Sequence, residues 1–286
     1  MKPRPLGPAL GLVLALAIVI ALFPVFWIAM TALKPPTDWN ASPAIWVPTS
    51  PTLVNFMTLF DPAAIRAYGV GGVSASATAA VAGSVVVSLM ATFLSVAIGF
   101  FTAVGLSRYA QQGRFAHLQI LSGRMFPPAA IAVPFVIVFS AVQLIDTYLG
   151  LIAIYVAITL PFATWMLKSF VDDVPREIEE AAMIDGRSRL AAHLTVTLPL
   201  IRGGLFATAL FIFILNWSEF LFALVLSYTN IETIPVRLAK YVTATAGTLY
   251  GVQAALAVLA MVPLIVAGFL IQKHLARGMT LGALKR

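Results

Sequence analysis

Apolar runs long enough to cross a lipid bilayer constrain this chain more than any other feature. A hydrocarbon layer of about 30 Å is spanned by about 20 helical residues. Runs of that kind cover about Pro8 to Leu33, Ala77 to Leu106, Leu118 to Leu144, Leu149 to Leu167, Leu205 to Leu226 and Val252 to Ile271. Backbone amides in hydrocarbon find no water, so such segments satisfy themselves as helices. The expected fold is all-α: a polytopic membrane bundle of about six transmembrane helices, with residues 1–286 forming a single transmembrane domain. With 60% hydrophobic and 10% charged residues, a soluble globular domain is excluded.

The first run follows Lys2 and Arg4, but it is about twice as long as a signal peptide's apolar core. It continues through Phe26, Trp27 and Met30 without a small-residue cleavage site, so it reads as a retained span. Residues from Lys34 to about Ser74 read as an external loop with short helices, whose Trp39 and Trp46 suit headgroup level. Small residues recur along the second run (Ala80, Gly83, Ser84, Ser88, Ala91, Ser95, Gly99), as tight helix packing in lipid requires.

The net charge of +7 sits in loops beside apolar runs and lacks interleaved aromatics, so it reads as a topology signal, with no nucleic-acid partner. With both termini inside, the inner segments hold fourteen of the eighteen bases; Lys34, Arg66, Arg237 and Lys240 are outside. There is no cysteine, which excludes disulfides, thiolate metal sites and thiol catalysis. His117, His193 and His274 are far apart in sequence, and no metal site is expected. The chain contains no GxxxxGK[ST], Gly-x-Ser-x-Gly or His-Glu-x-x-His, so neither ATP binding nor catalysis is expected on it.

Between the fourth and fifth runs lies a polar island, about 172–202. Six of the chain's eleven acids fall within fourteen residues there: Asp172, Asp173, Glu177, Glu179, Glu180 and Asp185. Pro175 fits the first position of a short helix and Gly186 its stop. Ser188 fits the cap of a second helix ending before Pro199. Ile178, Ala181, Ala182 and Asp185 fall at i, i+3, i+4 and i+7, placing two methyl-sized residues on one face open to another protein.

The order Glu180-Ala181-Ala182, three residues, Gly186, nine residues, Val196, one residue, Leu198-Pro199 resembles the EAA loop of membrane subunits of ATP-binding-cassette importers. Asp146-Thr147-Tyr148, Trp217-Ser218-Glu219-Phe220-Leu221-Phe222-Ala223-Leu224 and Arg277-Gly278-Met279-Thr280-Leu281-Gly282-Ala283-Leu284-Lys285 are similar to the carbohydrate branch, in particular the maltose-type second permease. Ser218, Arg187 and Gly203 depart from the usual residues of that branch.

The resemblance implies a type I (MetI-like) permease with six spans and a cytoplasmic coupling helix, in a bacterial or archaeal cytoplasmic membrane. It implies a second homologous permease, two ATPase subunits that bind ATP and magnesium in place of this chain, an external solute-binding protein and a sugar-type substrate. Glu180 would meet a basic side chain of the ATPase, Ala181 and Ala182 would allow close approach, and Asp185, Gly186, Leu198 and Pro199 would complete the coupling loop. The loop Ser227–Leu249, with Thr233, Ile234, Pro235, Ala246 and Gly247, would probe the binding protein. The tail, about 272–286, would lie against the ATPases.

Pathway candidates are Met125, Pro127, Asn216, Trp217 and Glu219. Pro127 and Pro128 remove backbone donors and are expected to bend a helix beside the pathway. Glu219 is the only acid expected well inside a span. A buried carboxylate there faces a cavity or a neighbouring helix. Two roles stay open for it: holding sugar hydroxyls with Asn216 one turn away, or a bond between helices. A secondary transporter would instead need mid-membrane ion ligands on interrupted helices with internal symmetry. An intramembrane enzyme would need a nucleophile with a base, or a metal set, at bilayer depth.

Overall fold

A computed structural model describes residues 7–66, 76–109, 127–243 and 247–282. Among these, four helices are long and apolar enough to cross a membrane: α1 (Pro8–Ala32), α3 (Thr78–Arg108), α5 (Tyr148–Asp172) and the Tyr250–Ile271 part of α12 (Tyr250–Gly282). Between α1 and α3 lies α2 (Val54–Phe60), and α4 (Pro128–Ala141) is a shorter apolar helix. The helix α6 (Arg176–Ile184) precedes α7 (Arg189–Ala192), a π-turn (His193–Thr197) and α8 (Leu198–Leu200). Next come α9 (Arg202–Trp217), α10 (Leu221–Leu226) and α11 (Ile234–Lys240). The single sheet among the described residues is a two-residue antiparallel pair, β1 (Val242–Thr243) with β2 (Gly247–Thr248).

The described chain divides into two units. The first takes residues up to Thr78 together with Arg237–Val262. In it α1 exposes apolar side chains all round, including Leu12, Val19 and Ile20, as a helix solvated by lipid does. Its C-terminal carbonyls are not left bare. Asn55 Nδ2 on α2 donates to the carbonyls of Ala32 (2.9 Å) and Lys34 (2.8 Å), and Trp39 Nε1 donates to Lys34 at 3.2 Å. Gly251 must be glycine here, because a Cβ would enter the Trp39 ring and the Asn55 amide.

The second unit takes Ala79–Val236 and the chain from Pro263 on. The small residues of α3 form its buried stripe, as expected of close helix packing. A Cβ on Gly99 would lie 3.0 Å from Ala163 Cβ of α5. Nearby, the hydroxyls of Ser95 and Thr159 bond at 2.8 Å. At the other end of α3, Ser84 Oγ accepts from the Ile234 amide at 2.8 Å, and a Cβ on Gly83 would collide with the Glu232 carbonyl. Gly83→Ala is therefore expected to cost about 2 kcal/mol, since backbone cannot step aside as a side chain can. Gly105→Ala, with nothing within 4 Å, is the control and should be neutral or slightly stabilising. Thermal unfolding of both variants in detergent checks this.

Some expectations about the spans need correction. Among the described residues, Pro127 and Pro128 stand at the start of a helix and not inside one. Pro127 flanks α4 and Pro128 opens it, where a missing donor costs nothing. The start of that run, including Met125, lies outside the described residues. The fifth run is not one helix: α9 ends at Trp217 and α10 begins at Leu221, so Asn216 and Glu219 do not share a helical turn. On its other side, Arg189–Leu200 and α9 meet at 79°. The last run is matched by the Tyr250–Ile271 part of α12, and the helix continues into the tail as far as Gly282.

Candidate functional site

The polar island folds as a knuckle whose ends are closed by local chemistry. Pro175 flanks α6 and does not open it, a shift of one residue from the expected start. At the other end Gly186 has φ +89°. Its amide donates to Met183 O (3.1 Å) and the Arg187 amide to Ala182 O (3.1 Å). That double closure is the Schellman stop, which glycine adopts without a Cβ penalty. Ser188 Oγ then accepts from the Ala191 amide at 3.3 Å and caps α7. The second helix does not end before Pro199. It passes through the π-turn, and Pro199 sits within α8, where its ring opens a new segment. The Arg187 side chain bonds Thr195 Oγ1 and pins the turn across the knuckle.

The two acids Glu179 and Glu180 have opposite fates. Glu179 is buried and Glu180 is exposed. The Arg108 guanidinium at the end of α3 grips the Glu179 carboxylate, with Nε at 2.9 and 3.1 Å and Nη2 at 3.0 Å. The two side chains are 7% and 4% exposed. Thr197 Oγ1 donates to the same carboxylate at 2.6 Å, and His193 Nδ1 stands 3.6 Å away. His193 Nε2 and the Tyr109 hydroxyl bond at 2.8 Å. Burial pushes the Glu179 carboxyl up, but the hydrogen bonds and charge of Arg108, with Thr197, outweigh it and hold it below the usual range. Arg108 also donates to the Val171 and Val174 carbonyls, each at 2.9 Å, and Arg176 donates to Ser107 O at 2.8 Å. Sequence reasoning treated Arg108 as a topology charge and passed over Glu179, His193 and Thr197.

Glu180 takes no hydrogen bond or ion pair among the described residues. It shares the open side of the knuckle with Ile178, Ala181, Ile184 and Asp185, and Ile184 is 86% exposed. Ala182 departs from expectation, being turned into the chain and buried, so only Ala181 of the alanine pair faces outward. Leu198 is half-buried against the core around Phe100, Leu167 and Ile212, and Pro199 is exposed.

The pathway candidates are drawn into packing. Asn216 is 2% exposed and donates to Thr92 Oγ1 of α3 at 3.1 Å. Trp217 is buried beside Phe213, with ring centroids 5.5 Å apart. Glu219 lies in the break between α9 and α10. Its two oxygens accept from the Phe222 (2.9 Å) and Ala223 (3.1 Å) amides, so it caps α10. A groove of about 570 Å³ between α3 and α9 is lined by Phe93, Phe101, Leu205, Phe206 and other apolar side chains, with Arg202 as its one charge.

The expected outer-loop contacts are corrected in part. Thr233 and Ile234 are buried, so they present no surface to a partner, and Pro235 is half-buried. Gly247 lies in β2, and Ala246 is outside the described residues. Tyr228, Thr229 and Asn230 are the exposed residues at the start of that loop. Among the described residues no cluster of three or more His, Asp or Glu is placed to hold a metal ion.

Residues 95–281, which include the knuckle and its Arg108 anchor, match the family described as binding-protein-dependent transport system inner membrane component. The chain belongs to this family. A probable ABC transporter permease of Sinorhizobium fredii is 33% identical over 93% of this chain and 91% of its own length. The sulfoquinovosyl glycerol transport system permease SmoH of Agrobacterium fabrum is 32% identical, covering 95% and 91%. The trehalose/maltose transport system permease MalG of Thermococcus litoralis is 31% identical, covering 93% and 92%. In fold, the chain is similar to a subunit in the crystal structure of a bacterial ABC transporter involved in import of the acidic polysaccharide alginate. The TM-score is 0.74 over 92% of this chain and 94% of that one, at 18% identity.

Proposed function

We propose that this chain is the permease subunit of an ATP-driven importer for a sugar or sugar derivative, with ATP hydrolysed on a separate subunit docked at the knuckle. The observation that carries the reading is the open side of α6. Glu180, an acid with no partner among the described residues, stands beside an isoleucine, Ile184, exposed to 86%, on a helix whose opposite side is anchored inside the chain. An exposed acidic side carrying Glu177, Glu180 and Asp185 beside Ile178, Ala181 and Ile184 suits a basic protein groove better than lipid, which prefers Lys and Arg on the polar face. Family membership and the sugar transport names of SmoH and MalG support the substrate class.

In this reading both termini and the knuckle face the cytoplasm. Two ATPase subunits bind ATP and magnesium, and a second homologous permease completes the pathway. An external solute-binding protein delivers the sugar. ATP binding draws the ATPases together, the knuckle moves with them, and the spans switch access from one side to the other. The test is reconstitution of the chain in proteoliposomes with a second permease, an ATPase and a solute-binding protein of the same source, using radiolabelled di- and monosaccharides as probes. Uptake that requires internal ATP is the expected result. Uptake by the chain alone, driven by an ion gradient, would overturn it.

A further inference from the structure

The transporter reading leaves open how motion of the knuckle reaches the spans, and the buried side of α6 bears on that step. We infer that Arg108 is a positioning residue that clamps the knuckle to the end of α3, so that the two move as one body. This inference rests on the transporter reading of the knuckle. One guanidinium holds three elements at once: Glu179 of α6, and the carbonyls of Val171, in the last turn of α5, and Val174, in the link that follows. The carboxylate it grips is bonded in turn by Thr197 of the π-turn, so both arms of the knuckle converge on one ion pair. Arg176 adds a second strap from α6 to the Ser107 carbonyl.

A buried ion pair is a poor source of stability, because desolvation cancels much of its attraction. What it does supply is geometry. The planar fork of arginine fits carboxylate and carbonyl oxygens in one orientation only, which a lysine cannot reproduce. Sliding α6 away from α3 would strand both charges in a dry setting. A displacement imposed on the knuckle is therefore carried into α3, whose buried stripe packs on α5 through Gly99 and Ala163 and bonds α9 through Thr92 and Asn216. The mechanical input then enters the bundle through the second span as well as through the directly connected α9.

The chain has no cysteine, so single cysteines at Leu190 on the knuckle and Phe101 on α3, both exposed, take spin labels cleanly. In the reconstituted importer, with binding protein and sugar present, the distance between the labels should stay single-valued on ATP addition. With Arg108→Ala it should match the parent without ATP, then broaden or split when ATP is added. Sugar carried per ATP hydrolysed should fall about tenfold while the ATPases stay bound and active. Arg108→Lys should recover part of that loss. If Arg108→Ala fails to assemble, Glu179→Gln takes its place, with the same two readouts and a smaller expected fall. An unchanged label distance with ATP and an unchanged sugar-to-ATP ratio would overturn the clamp while leaving the transporter reading intact. Failure of the parent chain to hold ATPases at all would instead remove the reading on which the clamp rests.

Discussion

Asp146→Ala is expected to lower the melting temperature of the detergent-solubilised chain by about 8 °C, from a loss of about 3 kcal/mol. The residue sits in the turn between α4 and α5 with φ +57°, a left-handed conformation that aspartate tolerates better than most residues. From there its carboxylate accepts from the amides of Tyr228 (2.9 Å), Thr229 (3.0 Å), Asn230 (2.8 Å) and Ile231 (3.2 Å), and from the Thr229 hydroxyl. One side chain thus fixes the exit of α10 and the approach to the buried Ile231–Ile234 segment. Some of these amides regain water when the carboxylate goes, which keeps the loss below a simple sum of charged hydrogen bonds. Asp146→Gly separates the two contributions, because it relieves the backbone conformation but still lacks the carboxylate. It should recover only about 1 kcal/mol relative to alanine. Asp146→Asn should remain well below the parent, since an amide NH₂ would face backbone donors.

The same contacts set a pH dependence. Burial pushes the Asp146 carboxyl up, but the four amides pull it further down, to well below the ordinary aspartate value. A carboxyl depressed in the folded state stabilises that state fully above its unfolded pKa, about 3.9. Its contribution is lost as pH falls from there through the folded value. Stability of the parent should therefore drop more steeply than that of Asp146→Ala below about pH 4, and the two curves should run parallel near neutrality.

Much of the fold was legible because hydropathy is a property of composition. The first, second, fourth and last spans need only apolar length, and α1, α3, α5 and α12 appear where those runs lie. Gly186 was legible for a similar local reason, since a helix stop with positive φ selects glycine from a few neighbouring residues. The break after α9 was not. It depends on Glu219 turning its carboxylate onto the amides of Phe222 and Ala223, a local bond that competes with continuing the helix. Nor does sequence separate Glu179 from Glu180. Adjacent helical residues point about 100° apart, and which of them faces the chain is decided by Arg108, 71 residues earlier. Thr233 and Ile234 were misplaced for the opposite reason: a segment polar enough to read as loop is drawn inward by the Ser84 hydroxyl and the void that Gly83 leaves.

Glu180→Lys is expected to reduce ATP-driven uptake by about 100-fold while leaving the fold of the chain intact. Glu180 is exposed and holds no partner among the described residues, so its reversal should change intrinsic stability by no more than about 0.5 kcal/mol. Against a basic groove the same change turns attraction into repulsion. Disrupting a desolvated charge contact costs about 2–5 kcal/mol, which is about 30- to several-thousand-fold in affinity. Glu180→Gln, which loses the charge without reversing it, should fall between lysine and the parent. Ile184→Asp gives an independent probe of the same face, since burying a new charge where an exposed isoleucine stood should also weaken docking. Gly186→Val tests a different property. A Cβ there meets nothing within 4 Å, so its intrinsic cost is chiefly the left-handed backbone, at least about 1–2 kcal/mol for a β-branched residue. A loss of uptake beyond that cost would report a partner surface close to the turn. Co-purification of the ATPase, uptake per assembled complex and thermal unfolding separate docking from folding in all four variants. Full uptake by Glu180→Lys, with the ATPase still bound, would move the contact away from this acid and toward the apolar side chains around it.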